Sequence, residues 1–101
     1  MNSQTIHLPD TFDLESVKQV RPDLDATLLP DGGIVRLDLS NVSFIDSSGV
    51  GAIIHLFKRL RSQQRELILC GVHGQPRRIL QLLRVDRAIP FEESFEQDLQ
   101  L

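Results

Sequence analysis

The clearest pattern along the chain is an alternation that gives way to a three-four repeat. Over Ile34–Ser40, Val35, Leu37 and Leu39 fall on one side and Arg36 and Asp38 on the other. That is the period of a strand with one apolar face. Val42, Phe44 and Ile45 then anchor a loop that delivers Asp46, Ser47, Ser48, Gly49 and Gly51. From Ser48 onward Val50, Ile53, Ile54, Phe57, Leu60 and Arg61 recur at three and four, while His55, Lys58, Arg59 and Ser62 fall elsewhere. The pattern predicts a helix of roughly four turns ending near Gln63-Gln64, with Ala52 and Leu56 on its flank at the edge of the buried stripe.

The flanking segments follow the same grammar. Thr5–Leu8 reads as a short strand broken by Pro9-Asp10. Asp13 or Thr11 then caps a helix whose stripe is Leu14, Val17 and Val20, and which bends or restarts at Pro22 before Leu24, Leu28 and Leu29. Pro30-Asp31-Gly32-Gly33 is a turn. Glu66–Val72 is a continuous apolar run, as expected of a strand inside a sheet. After the turn Gly71–Gly74, Pro76 suits the first position of a helix bearing Ile79, Leu80, Leu82 and Leu83, with Arg77, Arg78, Gln81 and Arg84 outside. Ala88–Phe91 suggests one more strand, and Glu92-Glu93-Ser94 opens a last short helix carrying Phe95 and Leu99. Strand and helix therefore alternate from residue 34 onward. The order implies a single α/β domain over residues 1–101, with a mixed, partly parallel sheet of about four or five strands and about four α-helices.

Composition narrows the function classes. A chain of 101 residues suits one core. The run Val50–Phe57 is too short to span a bilayer, and the N-terminal M-N-S-Q-T lacks the build of a secretory signal. Cys70, the lone cysteine, sits in an apolar run and reads as a core residue. These features point to a cytoplasmic protein without membrane insertion. Charge is asymmetric: residues 1–50 hold three Lys/Arg against eight Asp/Glu, and residues 51–89 hold eight against two. Yet the balance is acidic and no aromatic residues interleave with the arginines to stack on bases, so a nucleic-acid partner is not expected. A solvated helix face, or a patch for an acidic protein partner, fits better.

Catalytic chemistry finds little support. Ser47 and Ser48 do not lie in a G-x-S-x-G elbow, and His55 is two helical turns from them. His7, His55 and His73 are scattered without metal-ligand spacing, and Gly71–Gly74 lacks the features of a P-loop. No enzyme, metal or cofactor is expected. By residue type alone, the default role of Ser47 and Ser48 is helix capping. A serine there also lies in the field of the helix's positive end, where an added phosphate is stabilised.

The run from Leu37 to Leu60, L-D-L-S-N-V-S-F-I-D-S-S-G-V-G-A-I-I-H-L-F-K-R-L, and the following R-E-L-I-L resemble the STAS domain family, and within it the bacterial anti-sigma factor antagonists. The likeness extends upstream through L-P-D-T-F-D-L and downstream through P-R-R-I-L-Q-L-L-R-V-D-R-A-I-P-F. It implies that Ser48, the serine immediately before the glycine, is phosphorylated by a serine protein kinase that is also the anti-sigma factor. The unmodified form would bind that kinase and free the sigma factor, and a PP2C-type phosphatase would reset the switch. Two features depart from the family: there is room for one strand where a hairpin usually precedes the first helix, and Arg84-Val85 replaces a glycine-leucine turn after the third. An alternative within the family is a non-switching subunit of a lipid-transport ABC complex. The partner surface is expected at Asp46, Ser47, Ser48, Gly49, Ala52, Leu56 and Arg59. The last four fall on one flank of the central helix at intervals of three and four, although Leu56 also suits the edge of the core.

Overall fold

The computed structural model of the chain describes residues 3–29 and 33–93. The alternating segment forms strand β3 (Val35–Asp38), which lies between β1 (Gln4–His7) and β5 (Leu67–Cys70). A two-residue strand, β6 (Phe91–Glu92), completes the order β1-β3-β5-β6. Register aligns apolar positions across the sheet: Ile6 with Leu37, Val35 with Leu67, Leu37 with Leu69, and Leu69 with Phe91. Two further short strands, β2 (Thr11–Phe12) and β4 (Phe44–Ile45), pair with each other. Every described pairing is parallel, where a mixed sheet was expected. The segment before the first helix thus holds two strands rather than one, joined to different partners.

Parallel neighbours require crossovers, and three helices supply them: α1 (Leu14–Ala26), α2 (Ser47–Ser62) and α3 (Gly74–Leu82). Asp13, rather than Thr11, caps α1, accepting a hydrogen bond from the Ser16 N–H at 3.1 Å. That bond chiefly holds the half-buried Asp13 carboxyl below the ordinary aspartate range. Helix α1 runs through Pro22 as one element. Its buried residues are Val17 and Leu24, while Leu14 is exposed and Val20 only half-buried. Pro76 is the third residue of α3, still within the turn whose N–H groups have no helical partner. The Pro30–Gly32 part of the expected turn, and the final helix with Phe95 and Leu99, lie outside the described residues.

Val35, Leu37, Leu67 and Leu69 join one apolar cluster with Val17, Ile53, Leu56, Leu60 and Leu80 from the helices. Ile68 and Cys70, on alternate positions of β5, are buried outside that cluster, so β5 is covered on both faces, as parallel strands inside a sheet commonly are. Phe44 is a correction: it is exposed, and Val42 and Ile45 alone anchor the loop before α2. After α3 the chain turns through Arg84, whose φ of 63° is left-handed, into a one-turn 3₁₀ helix at Val85–Arg87. That turn occupies the start of the segment leading to β6.

Candidate functional site

Strand β4 ends at Ile45, and the next residue ends the extended backbone. Asp46 has φ −108° and ψ −174° and is the N-cap of α2. Its Oδ1 accepts from the Gly49 N–H at 3.0 Å, and its carbonyl accepts from the Val50 N–H at 3.0 Å. Capping therefore belongs to Asp46, and Ser47 and Ser48 are the first two residues of the helix proper. Neither serine hydroxyl makes a hydrogen bond among the described residues. Ser47 is exposed and Ser48 half-buried.

The loop beneath them is fastened from both sides. Asp10 accepts from the N–H and hydroxyl of Ser43, and the Asp46 N–H donates to the Phe12 carbonyl. On the opposite edge the Gln75 amide acts as a substitute strand: its Oε1 accepts from the Ile45 N–H at 2.9 Å, and its Nε2 donates to the Ile45 carbonyl at 3.0 Å. A single glutamine at the start of a helix carries no periodic signal, and nothing in the sequence marked it.

Gly49 is buried, and the reason is contact rather than conformation. A Cβ there would fall on the Phe12 carbonyl oxygen, 2.6 Å from Ile45 Cγ1 and 2.9 Å from Phe12 Cδ2. The glycine lets the first turn of α2 sit directly on β2 and β4. Leu56, placed provisionally on the partner surface, is 3% exposed and belongs to the core. The buried set of α2 is Gly49, Val50, Ile53, Leu56 and Leu60. Because α1 packs along the helix, the buried arc is turned toward α1, and Ile54 and Phe57 are only half-buried. Of the four flank residues, Ala52 is half-buried and Arg59 exposed. Arg59 also reaches Asp25 of α1 at 3.7 Å. Both groups are exposed, so the pair adds little to stability.

Two grooves flank the start of α2. On the α3 side, Ser47 and Asp46 share a largely apolar groove with Ile45, Val50, Gly51, Gln75, Ile79 and Leu83. Two leucines of this region that the periodicity placed in the core, Leu82 and Leu83, are 76% and 53% exposed. On the α1 side, Ser48 shares a groove with Leu14, Val17, Arg21, Gly51, Ala52 and His55. Consecutive helical residues point about 100° apart, which is how adjacent serines come to line different grooves.

A third cluster lies at the end of β3. His7 Nδ1 and Asp38 Oδ2 are 2.7 Å apart, and Asp38 Oδ1 accepts from the Ser40 N–H at 2.9 Å. Burial pushes the Asp38 carboxyl up, but hydrogen bonds from Ser40 and His7 and the His7 charge outweigh it, leaving the group below its ordinary value. Among the described residues no three His, Cys, Asp or Glu side chains gather as a metal site, and no helix is long and apolar enough to cross a membrane.

Comparison with known proteins gives this arrangement its class. The STAS domain family model matches residues 3–97, and the chain belongs to that family. Among its relatives is the anti-sigma-B factor antagonist of Listeria monocytogenes serovar 1/2a, 31% identical over 77 residues that cover 76% of this chain and 68% of the relative. The fold resembles the phosphorylated form of the Bacillus cell fate determinant SpoIIAA, with a TM-score of 0.73 at 21% identity, over 93% of this chain and 84% of that one. It also resembles a sulfate transporter family protein from Wolinella succinogenes, with a TM-score of 0.80 at 16% identity, over 96% and 81% of the two chains.

Proposed function

We propose that the chain is an anti-sigma factor antagonist switched by phosphorylation of Ser48. In this reading the unmodified protein binds a serine-kinase anti-sigma factor and frees the sigma factor. The kinase phosphorylates Ser48 with ATP, and a PP2C-type phosphatase reverses the step. One observation carries the reading: Ser48 offers a hydroxyl with no hydrogen bond among the described residues, in the first turn of a helix already capped by Asp46. The Listeria relative's name supports the role.

A phosphate on Ser48 adds about 1.5 to 2 negative charges. The start of α2 stabilises such an anion by roughly 0.3–2 kcal/mol, so the fold survives. A partner lying over Ser48 does not tolerate it, because burying a dianion that is not fully neutralised costs several kcal/mol. The partner surface is then the start of α2 with Asp46, Ser47, Ser48 and Gly51, bordered by Ala52 and Arg59 on the α1 side and by exposed Leu82 and Leu83 on α3. Gly49 and Leu56 support that surface from beneath without belonging to it.

The test is labelling with radioactive ATP and a serine-kinase anti-sigma factor from the same genome. Wild type and Ser47→Ala should each take one phosphate, and Ser48→Ala none. Labelling of Ser48→Ala would overturn the site. No labelling of wild type would favour the non-switching transporter subunit.

A further inference from the structure

We infer that a phosphate on Ser48 lies in the α1–α2 groove and is held there by the guanidinium of Arg21. The inference rests on the reading of Ser48 as a phosphoacceptor and adds a second residue, on another helix, that binds the modified form. The groove beside Ser48 is open to solvent and measures about 390 Å³, against roughly 10–15 Å³ for one water in the same measure, so a phosphoryl group fits without displacing the fold. Its charged and titratable lining consists of Arg21 from α1 and His55 from α2, and no carboxylate lines it. The nearby carboxylates are otherwise placed. Asp46 lines the groove on the other side of α2, and Asp25, further along α1, is paired with Arg59 at 3.7 Å.

Arg21 is uncommitted, as is Lys18 one turn earlier, but of the two only Arg21 lines the groove. It makes no hydrogen bond or ion pair among the described residues, whereas Arg59 holds Asp25, Arg36 holds Glu92, and Arg65 holds the backbone carbonyls of Thr27 and Gly33. Its mounting is firm, because Val17, one turn earlier, and Leu24, three residues later, are both buried against the core. A planar guanidinium on a fixed helix, beside an acceptor hydroxyl on a second fixed helix, suits paired hydrogen bonds to phosphate oxygens. Phosphorylation then ties α1 to α2 and partly neutralises the new charge.

The experiment installs phosphoserine at position 48 during translation, so it needs no kinase and does not depend on which residue a kinase selects. Phosphorus NMR then follows the second ionisation of the phosphate in wild type, Arg21→Gln, Arg21→Lys and, as a distant control, Arg78→Gln. The phosphate should hold its second proton less tightly in wild type than in Arg21→Gln. Arg21→Lys should be intermediate, because it keeps the charge but loses the fork, and Arg78→Gln should match wild type. In the unmodified proteins Arg21→Gln should melt with wild type. Superposable titrations of wild type, Arg21→Gln and Arg21→Lys would overturn the assignment of Arg21 whatever the kinase experiment shows.

Discussion

Two glycines of α2, two residues apart, should respond to the same substitution with opposite signs. At Gly51 an added Cβ meets nothing within 4 Å, so alanine contributes only its helix propensity, about 0.8–1.0 kcal/mol relative to glycine. At Gly49 the same gain is set against overpacking. The Cβ would fall on a backbone carbonyl and against Ile45 and Phe12, whose side chains are 1% and 0% exposed and cannot swing into solvent. Overpacking costs typically ~1–3 kcal/mol and occasionally more. A clash with backbone belongs at the upper end, leaving Gly49→Ala destabilised by roughly 2 kcal/mol after the propensity gain. At about 4–8 °C per kcal/mol for a domain of this size, Gly51→Ala should melt several degrees above wild type and Gly49→Ala about 8–16 °C below it. Urea titrations followed by circular dichroism should show the same order in their midpoints with similar slopes. A Gly49→Ala protein as stable as Gly51→Ala would refute the close seating of α2 on β2 and β4.

Other substitutions test the remaining corrections. Leu56→Ala should lose about 2–5 kcal/mol in urea titrations, as buried leucines do, and an unchanged midpoint would return Leu56 to the surface. Arg84→Gly should gain roughly 0.5–1 kcal/mol by thermal melting, because the left-handed conformation costs other residues about 1–2 kcal/mol and glycine's extra chain entropy offsets part of that; Arg84→Ala should gain nothing. Asp38, whose carboxyl is lowered in the fold, contributes stability that is fully present above the ordinary aspartate value of about 3.9 and lost as pH falls through the folded value. Below about pH 4 wild type should therefore lose stability more steeply than Asp38→Asn in acid titrations of the urea midpoint, and parallel curves would show that the His7–Asp38–Ser40 contacts are not energetically coupled.

The long periodic elements were legible because one rule governed each of them. Strand β3, helix α2 and strand β5 appear close to where alternation, the three-four repeat and the apolar run placed them. Strands β2 and β4 have two residues each and exist through a pairing between residues 33 positions apart, which no local pattern can encode. The capping role was legible in kind but not in position, since D-S-S offers three competent residues and the cap is fixed by where the helix begins. The three-four repeat of α2 marks the width of its buried stripe, and packing against α1 turns that stripe, so that Leu56 goes inward while Ile54 and Phe57 move to its edge. In α3, Leu82 lies at the edge of the arc centred on Ile79 and Leu80, and Leu83, which projects between those two, is the C-cap at the very end of the helix, where the periodicity no longer decides burial. Arg21 stood on a helix whose polar face carried no motif, and only the packing of α1 beside α2 brings it to the Ser48 groove.

That packing also bears on why two adjacent serines need not be equivalent. A phosphate on Ser47 would enter the groove that already holds the Asp46 carboxylate and is otherwise lined mainly by the apolar Ile45, Val50, Ile79 and Leu83, with the Gln75 amide committed to Ile45. Like charge and apolar walls both oppose it there. A phosphate on Ser48 enters a groove lined by Arg21 and His55 and by no carboxylate. Both serines lie in the first turn of α2, so the general field of the helix end acts on both and separates them little. The difference lies in the neighbouring helices: α3 and the cap residue disfavour an anion at Ser47, while α1 brings an uncommitted guanidinium to Ser48. The proposed preference for Ser48 thus has a basis in this chain's own packing, apart from the D-S-S-G motif, and the residue proposed to supply it is on a helix 27 positions earlier in the sequence.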